Sequence, residues 1–288
     1  MPTDLTKNSQ TDKNIEIFTK QIQSDPKNPE LYKEFGNYFF SSQMYKEAIE
    51  QYQKALDISP KYYKALYNLG NTYYKLDQHE KAIHYWHLAI EEKPDFEHAY
   101  FNLGYHYQQK GFFKEAIRAL SEVIRINPKA ADAHSYLGLC FHQTSQFHLA
   151  IEEFQKAISI SPDDPDFHYN LANSSYDLND YETAAKEWAI TLKFKPKDSR
   201  ARNNYCDALL QLNRCDEALS EIELTLQEDP KYPPALCTKA EILAKKGRSE
   251  EAKVFFQKVV ELTKNQGEWA LLFKYVQEKL SVNPNPAS

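Results

Sequence analysis

Proline recurs every 34 residues along this chain, at Pro26, Pro60, Pro94, Pro128, Pro162, Pro196 and Pro230. Alanine keeps the same interval at Ala48, Ala82, Ala116, Ala150, Ala184, Ala218 and Ala252. A third column holds only small residues: Gly36, Gly70, Gly104, Gly138, Ala172, Cys206 and Ala240. A fourth holds bulk: Tyr52, Trp86, Leu120, Phe154, Trp188, Ile222 and Phe256. Four columns stay in register over seven copies without an insertion, so the chain repeats one supersecondary unit.

Each column has a physical task. Between one proline and the next lie two helix-length apolar patterns, for example ALYNLGNTYYKL and EKAIHYWHLAIEE. Small side chains on both let two helix backbones approach, and the bulky column fills the space beside that contact. Proline ends the second helix, because it lacks an N–H and disfavours helix in the residue before it. The first helix is expected to end at Gln43, Asp77, Gly111, Ser145, Asn179, Asn213 and Gly247. Five of these are Gly, Asn or Asp, the residues that accept a left-handed stop most readily. Only 7 glycines in 288 residues also argue against a sheet-rich or loop-rich fold. The expected class is all-α.

The repeat length and its small, large and proline slots resemble the tetratricopeptide repeat (TPR) family, from Pro29 to about Gln266. The resemblance implies an α-solenoid: a right-handed superhelix of stacked antiparallel helix-turn-helix units, with a concave groove lined by the first helices. The expected boundaries are a disordered arm over 1–13 and a single solenoid over 14–280. Within the solenoid, a half-repeat (14–28) precedes repeats at 29–62, 63–96, 97–130, 131–164, 165–198, 199–232 and 233–266. A capping helix at 267–280 and a disordered tail at 281–288 follow. In the capping segment Trp269, Leu272, Phe273, Val276 and Leu280 share one face, while Lys274, Gln277, Glu278 and Lys279 share the other. An end repeat needs that division between apolar and polar.

Composition narrows the function classes. The net charge is −6 and the lysines are interleaved with glutamates, so no nucleic-acid partner is expected. No apolar stretch reaches bilayer length, so no membrane insertion is expected. The opening MPTDLTKNSQTDKN lacks a secretory apolar run, and a cytoplasmic location is the expectation. Cys140, Cys206, Cys215 and Cys237 show no ligand spacing. His84 and His87 stand three apart on one helix without a matching third ligand, and His134 and His168 fall on a core-facing slot. No phosphate loop, zinc motif or nucleophile elbow occurs. The reading is a protein that is not an enzyme and has no cofactor or metal.

The resemblance places certain first-helix slots on the groove. Two residues before the small column stand Asn68, Asn102, Tyr136, Asn170 and Asn204, and one after it stand Asn37, Asn71, Tyr105 and Asn173. Three before it stand Lys33, Tyr67, Phe101 and Tyr169. Asparagine amides both donate and accept, which suits the backbone of an extended peptide, or else they brace the hairpins themselves. The aromatics offer rigid apolar area for side chains. Asn68, Asn102, Asn170 and Asn204 resemble the asparagine ladder in the repeats of O-linked N-acetylglucosamine transferase, broken here at Tyr136. Lys33, Asn37 and Asn68 resemble part of the carboxylate clamp of heat-shock co-chaperones. His98 and Asn102, however, stand where that clamp needs cations. The expected function is a non-catalytic adaptor that binds a protein or peptide segment in the groove. The alternatives are a self-assembling scaffold (a homo-oligomer) and a co-chaperone-like binder of C-terminal carboxylate peptides.

Overall fold

A computed structural model describes residues 4–281, with side chains from Lys13 onward. The described residues form sixteen α-helices and one 3-10 turn, with no strand among them. Helix α1 (Asp4–Ser24) precedes seven hairpins. These are α2 (Pro29–Ser41) with α3 (Tyr45–Ile58), α4 (Tyr63–Lys75) with α5 (His79–Glu92), and α6 (Glu97–Gln109) with α7 (Phe113–Ile126). Next come α8 (Ala131–Gln143) with α9 (Phe147–Ile160), and α10 (Pro165–Asp177) with α11 (Tyr181–Phe194). The last two are α12 (Ser199–Gln211) with α13 (Cys215–Glu228), and α14 (Pro233–Lys245) with α15 (Ser249–Thr263). The turn Gly267–Trp269 leads into α16 (Ala270–Ser281). The fold is an all-α repeat, as the period implied.

The ends differ from expectation. Helix α1 begins at Asp4, ten residues before the half-repeat expected at Asn14. Residues 1–3 and 282–288 lie outside the described residues. The chain divides into two compact units at Tyr136 and Leu137, inside α8, where a single solenoid was expected.

Both stops within each hairpin follow from local chemistry. All seven residues expected to end the first helix adopt φ between 57° and 77°. The amide after each one reaches back to the helix, from Met44 N to Phe39 O at 2.9 Å through Arg248 N to Leu243 O at 2.9 Å. That bond satisfies a carbonyl the helix end would otherwise orphan. Six second helices end where a proline is next, at Ser59, Lys93, Asn127, Ser161, Lys195 and Asp229, with φ from −122° to −139°. The ring of the following proline enforces this extended backbone. Helix starts are set by Asn28, Asp164 and Asp198, whose side chains accept from backbone amides, and by Pro29, Pro165 and Pro233.

Within each hairpin the small and large columns meet. A Cβ on Gly36 would lie 2.5 Å from the Tyr52 ring, one on Gly70 2.6 Å from Trp86, and one on Gly138 2.7 Å from Phe154. Ala82, Ala116, Ala150, Ala184 and Ala218 have no exposed surface. Gly70→Val therefore forces apart Trp86 and the backbone oxygen of Ala82, which the new Cβ would approach to 3.1 Å. It should destabilise the first unit by about 1–3 kcal/mol, read as a lower urea midpoint. An unchanged midpoint would mean that the hairpin contact is looser than drawn.

His134 and His168 are buried, and each ring Nε2 meets the carbonyl of the proline before its helix, Pro128 at 3.2 Å and Pro162 at 2.9 Å. They brace the turn between repeats, and His168 Nδ1 also meets Glu187 at 2.5 Å. Three cysteines are core residues, and burial pushes the Cys140 thiol up to about 12 and raises those of Cys206 and Cys237 as well. Only thiolates react, so a thiol reagent at pH 8 should modify part-exposed Cys215 and leave the other three until the chain unfolds. Fast labelling of more than one thiol in the native protein would refute this packing.

At the C-terminal end, α16 turns Val276 into a core with Leu236, Phe256 and Val259, while Lys274, Gln277, Glu278 and Lys279 face water. Trp269, Leu272, Phe273 and Leu280 are half-buried on the inner side, and Leu271 is left 86% exposed.

Candidate functional site

The first helices carry a chain of side-chain bonds that runs from repeat to repeat. In the first unit Asn68 Nδ2 donates to Asn37 Oδ1 at 2.8 Å, and Asn102 Nδ2 donates to Asn71 Oδ1 at 2.7 Å. Each accepting asparagine also holds the bulky residue of its own hairpin. Tyr52 Oη donates to Asn37 at 2.9 Å and Trp86 Nε1 to Asn71 at 2.8 Å. Asparagine is needed there because a core Tyr or Trp brings one polar atom that must be paired.

Of the two roles open to the asparagines, these bonds are the bracing one. The amides of Asn37, Asn68, Asn71 and Asn102 are engaged inside the fold. Asn102 Nδ2 also faces Tyr67 Oη at 3.3 Å. Lys33 is likewise engaged, buried between Glu30 at 2.6 Å and Glu34. The co-chaperone resemblance loses its first cation by this pairing.

Between the third and fourth repeats no amide rung forms. At the third and fourth repeats the two slots hold Tyr105 and Tyr136, whose rings meet edge to face at 5.3 Å. Phe101 adds a second edge contact to Tyr136 at 5.7 Å. All three are only half-buried, so they form an aromatic cluster open to solvent on the first helices. At the next step Leu139 stands where an acceptor belongs, and the Asn170 side chain makes no hydrogen bond among the described residues. Tyr169, beside it, accepts from Asn204 Nδ2 at 3.3 Å.

In the second unit the ladder slackens. Asn204 Nδ2 lies 3.5 Å from Asn173 Oδ1, and Trp188 Nε1, in the place of Trp86 Nε1, has no partner at all. The following rung is Thr238 to Asp207, at 3.2 Å. Asp207 is flanked by Glu241, and burial followed by that like charge pushes its carboxyl up to about 7, against a smaller opposing effect of the Thr238 bond. Around this slack rung lies a cavity of about 220 Å³ lined by His142, Asn173, Tyr176, Asp177, Trp188, Asn204 and Asp207. Asn173 and Asn204 are among the groove residues expected from the sequence. Asp207 carried a readable signal, as an acid where Asn37, Asn71 and Asn173 stand in three other repeats.

His142 touches Ser174 Oγ with Nδ1 at 2.9 Å and Asp177 with Nε2 at 3.6 Å. The residue types are those of a nucleophile, a base and an orienting acid. Ser174 has no exposed surface, however, so no substrate carbonyl reaches its hydroxyl. Among the described residues, no three His, Cys, Asp or Glu side chains are placed to hold a metal, and no helix is long and apolar enough to cross a membrane.

Family models described as TPR repeat or tetratricopeptide repeat match residues 36–77, 63–96, 101–165, 169–233 and 209–273. The chain belongs to the tetratricopeptide repeat family, and its class is that of protein–protein interaction proteins. Solved structures share the fold. YrrB, titled a TPR protein with an unusual peptide-binding site, is 20% identical with a TM-score of 0.58, over 67% of this chain and 97% of its own. PilF of Pseudomonas aeruginosa is 18% identical with a TM-score of 0.62, over 74% and 97%. A tetratricopeptide repeat protein of Parabacteroides merdae is 17% identical with a TM-score of 0.60, over 86% and 98%. No curated protein sequence matches the chain.

Proposed function

We propose that the protein is a non-catalytic adaptor that holds an extended segment of a partner protein against its first helices. The observation that carries this reading is the half-exposed cluster of Phe101, Tyr105 and Tyr136. These rings replace a rung that the neighbouring repeats build from amides, so the hairpins do not require them for closure. Aromatic side chains of this kind give a partner large contact area at small entropic cost.

Tyr105→Ala with Tyr136→Ala should weaken partner binding about a hundredfold, since truncating a central aromatic costs about 2 kcal/mol or more. Circular dichroism should not change. Glu152→Ala with Gln155→Ala, both exposed on a second helix, is the control and should leave binding intact. Equal binding by the aromatic variant and the parent would move the site elsewhere. Light scattering over a concentration series should show constant mass, whereas mass that grows would favour the self-assembling scaffold.

A further inference from the structure

The slack rung in the second unit joins features that point to one ligand chemistry. The cavity there is smaller than the ~300–1,000 Å³ of sites for drug-sized molecules, and has room for a side chain rather than a cofactor. Its carboxylates lack cations. Asp207 bonds only Thr238 and, at 3.4 Å, Asn203, while Asp177 has only His142. Its inner wall presents the opposite deficiency. Trp188 is 2% exposed, and its Nε1 donor is unmatched where Trp86 donates to Asn71. A buried donor without an acceptor is costly and calls for a ligand group.

We propose that this cavity is the specificity pocket for a lysine or arginine of the bound segment. Its cationic head would pair with Asp207 and Asp177, in the cavity that Trp188 also lines. The proposal rests on the adaptor reading above and adds to it the partner's chemistry. A peptide residue with a basic side chain supplies the missing positive charge. An acidic residue meets three like charges, counting Glu241, and a neutral one leaves Asp207 unpaired.

The pocket's charge also sets a pH dependence. The groups facing Asp207 are Asp177 and Tyr176 on α10, Glu241 and Cys237 on α14, Tyr275 on α16 and His142 on α8. Lys279 on α16 acts on Cys237, and among the described residues no cation on these elements offsets Asp207 itself, so a bound ammonium or guanidinium favours the ionised carboxyl. Affinity for a basic segment should rise as pH increases through about 7, where Asp207 ionises.

The test starts from dodecamer peptides selected from a random display library on the full chain at pH 8. The enriched peptides should share one fixed Lys or Arg. Changing that residue to Gln should weaken binding to the parent about tenfold or more. The same change should cost less than about twofold on the Asp177→Asn, Asp207→Asn double variant, in which the lost charge pair no longer exists. The variant should fold, because asparagine already stands in this column at Asn37, Asn71 and Asn173, and circular dichroism checks it. Equal Gln penalties on both proteins, or enriched peptides without a fixed basic residue, would overturn the pocket. If Tyr105→Ala with Tyr136→Ala still weakens those peptides, the adaptor reading survives that failure. Peptides indifferent to both sets of substitutions, or no enrichment at all, would overturn both.

Discussion

Asp207→Asn is expected to stabilise the second unit, by a gain near zero at pH 4 that grows to a plateau above pH 7. Burial and the Glu241 charge raise this carboxyl from its ordinary 3.8 to about 7 in the folded protein. Below pH 4 both the folded and unfolded chains carry it protonated, so it contributes nothing. Between about 4 and 7 the unfolded chain loses the proton and the folded chain keeps it. The folded state is then penalised by ~1.4 kcal/mol for each pH unit. The ceiling is ~4 kcal/mol, and because Asp207 is only part-buried, about 1–3 kcal/mol is expected in practice. At ~2–4 °C per kcal/mol the second unit should melt several degrees higher in the variant at pH 8. A gain that is flat with pH would show that Asp207 ionises normally.

The second large effect concerns Asn71. Its Oδ1 receives both Trp86 Nε1 and Asn102 Nδ2, so Asn71→Ala orphans a donor in the core and breaks a rung. The loss should be about 1–3 kcal/mol for the buried Trp86 donor, with roughly 1 more for the rung. Removing the donor as well, in Asn71→Leu with Trp86→Phe, should recover much of that loss, because nothing polar is then left unpaired. Asn170→Ala, with no bond to lose among the described residues, should change the unfolding free energy read from urea by less than about 0.5 kcal/mol. Equal costs at Asn71 and Asn170 would mean that the ladder does not brace the repeats.

These two asparagines show what a sequence reading can and cannot reach. The fold was legible because its determinants are local and repeated: a proline stop, a residue that accepts positive φ, and a small residue opposite a large one. Even Gln43 and Ser145 were placed at their turns by period alone, although neither is a favoured left-handed residue. The site was less legible, because an asparagine column reads the same whether its amides face a peptide or a neighbouring repeat. Only the partner 31 positions away decides, and for Asn68 and Asn102 that partner is another asparagine. Lys33 was misleading for a similar reason, since its ion pairs with Glu30 and Glu34 are invisible in a column read one slot at a time. The cavity at Asp207 arises from a small displacement, a rung of 3.5 Å in place of 2.7 Å, which no residue type encodes. Helix α1 was read short because the residues before Asn14 carry no apolar stripe.

The account turns on which face of the repeats meets the partner, and photocrosslinking answers that directly. A benzoylphenylalanine replaces Phe101 or Asn170 on the first helices, or Leu149 or Val254, which are 41% and 62% exposed on second helices. Each protein is irradiated with a selected peptide. Crosslinks at positions 101 and 170, absent at 149 and 254, are the expected result. Crosslinks at 149 or 254 with none at 101 and 170 would contradict the account and place recognition on the second helices.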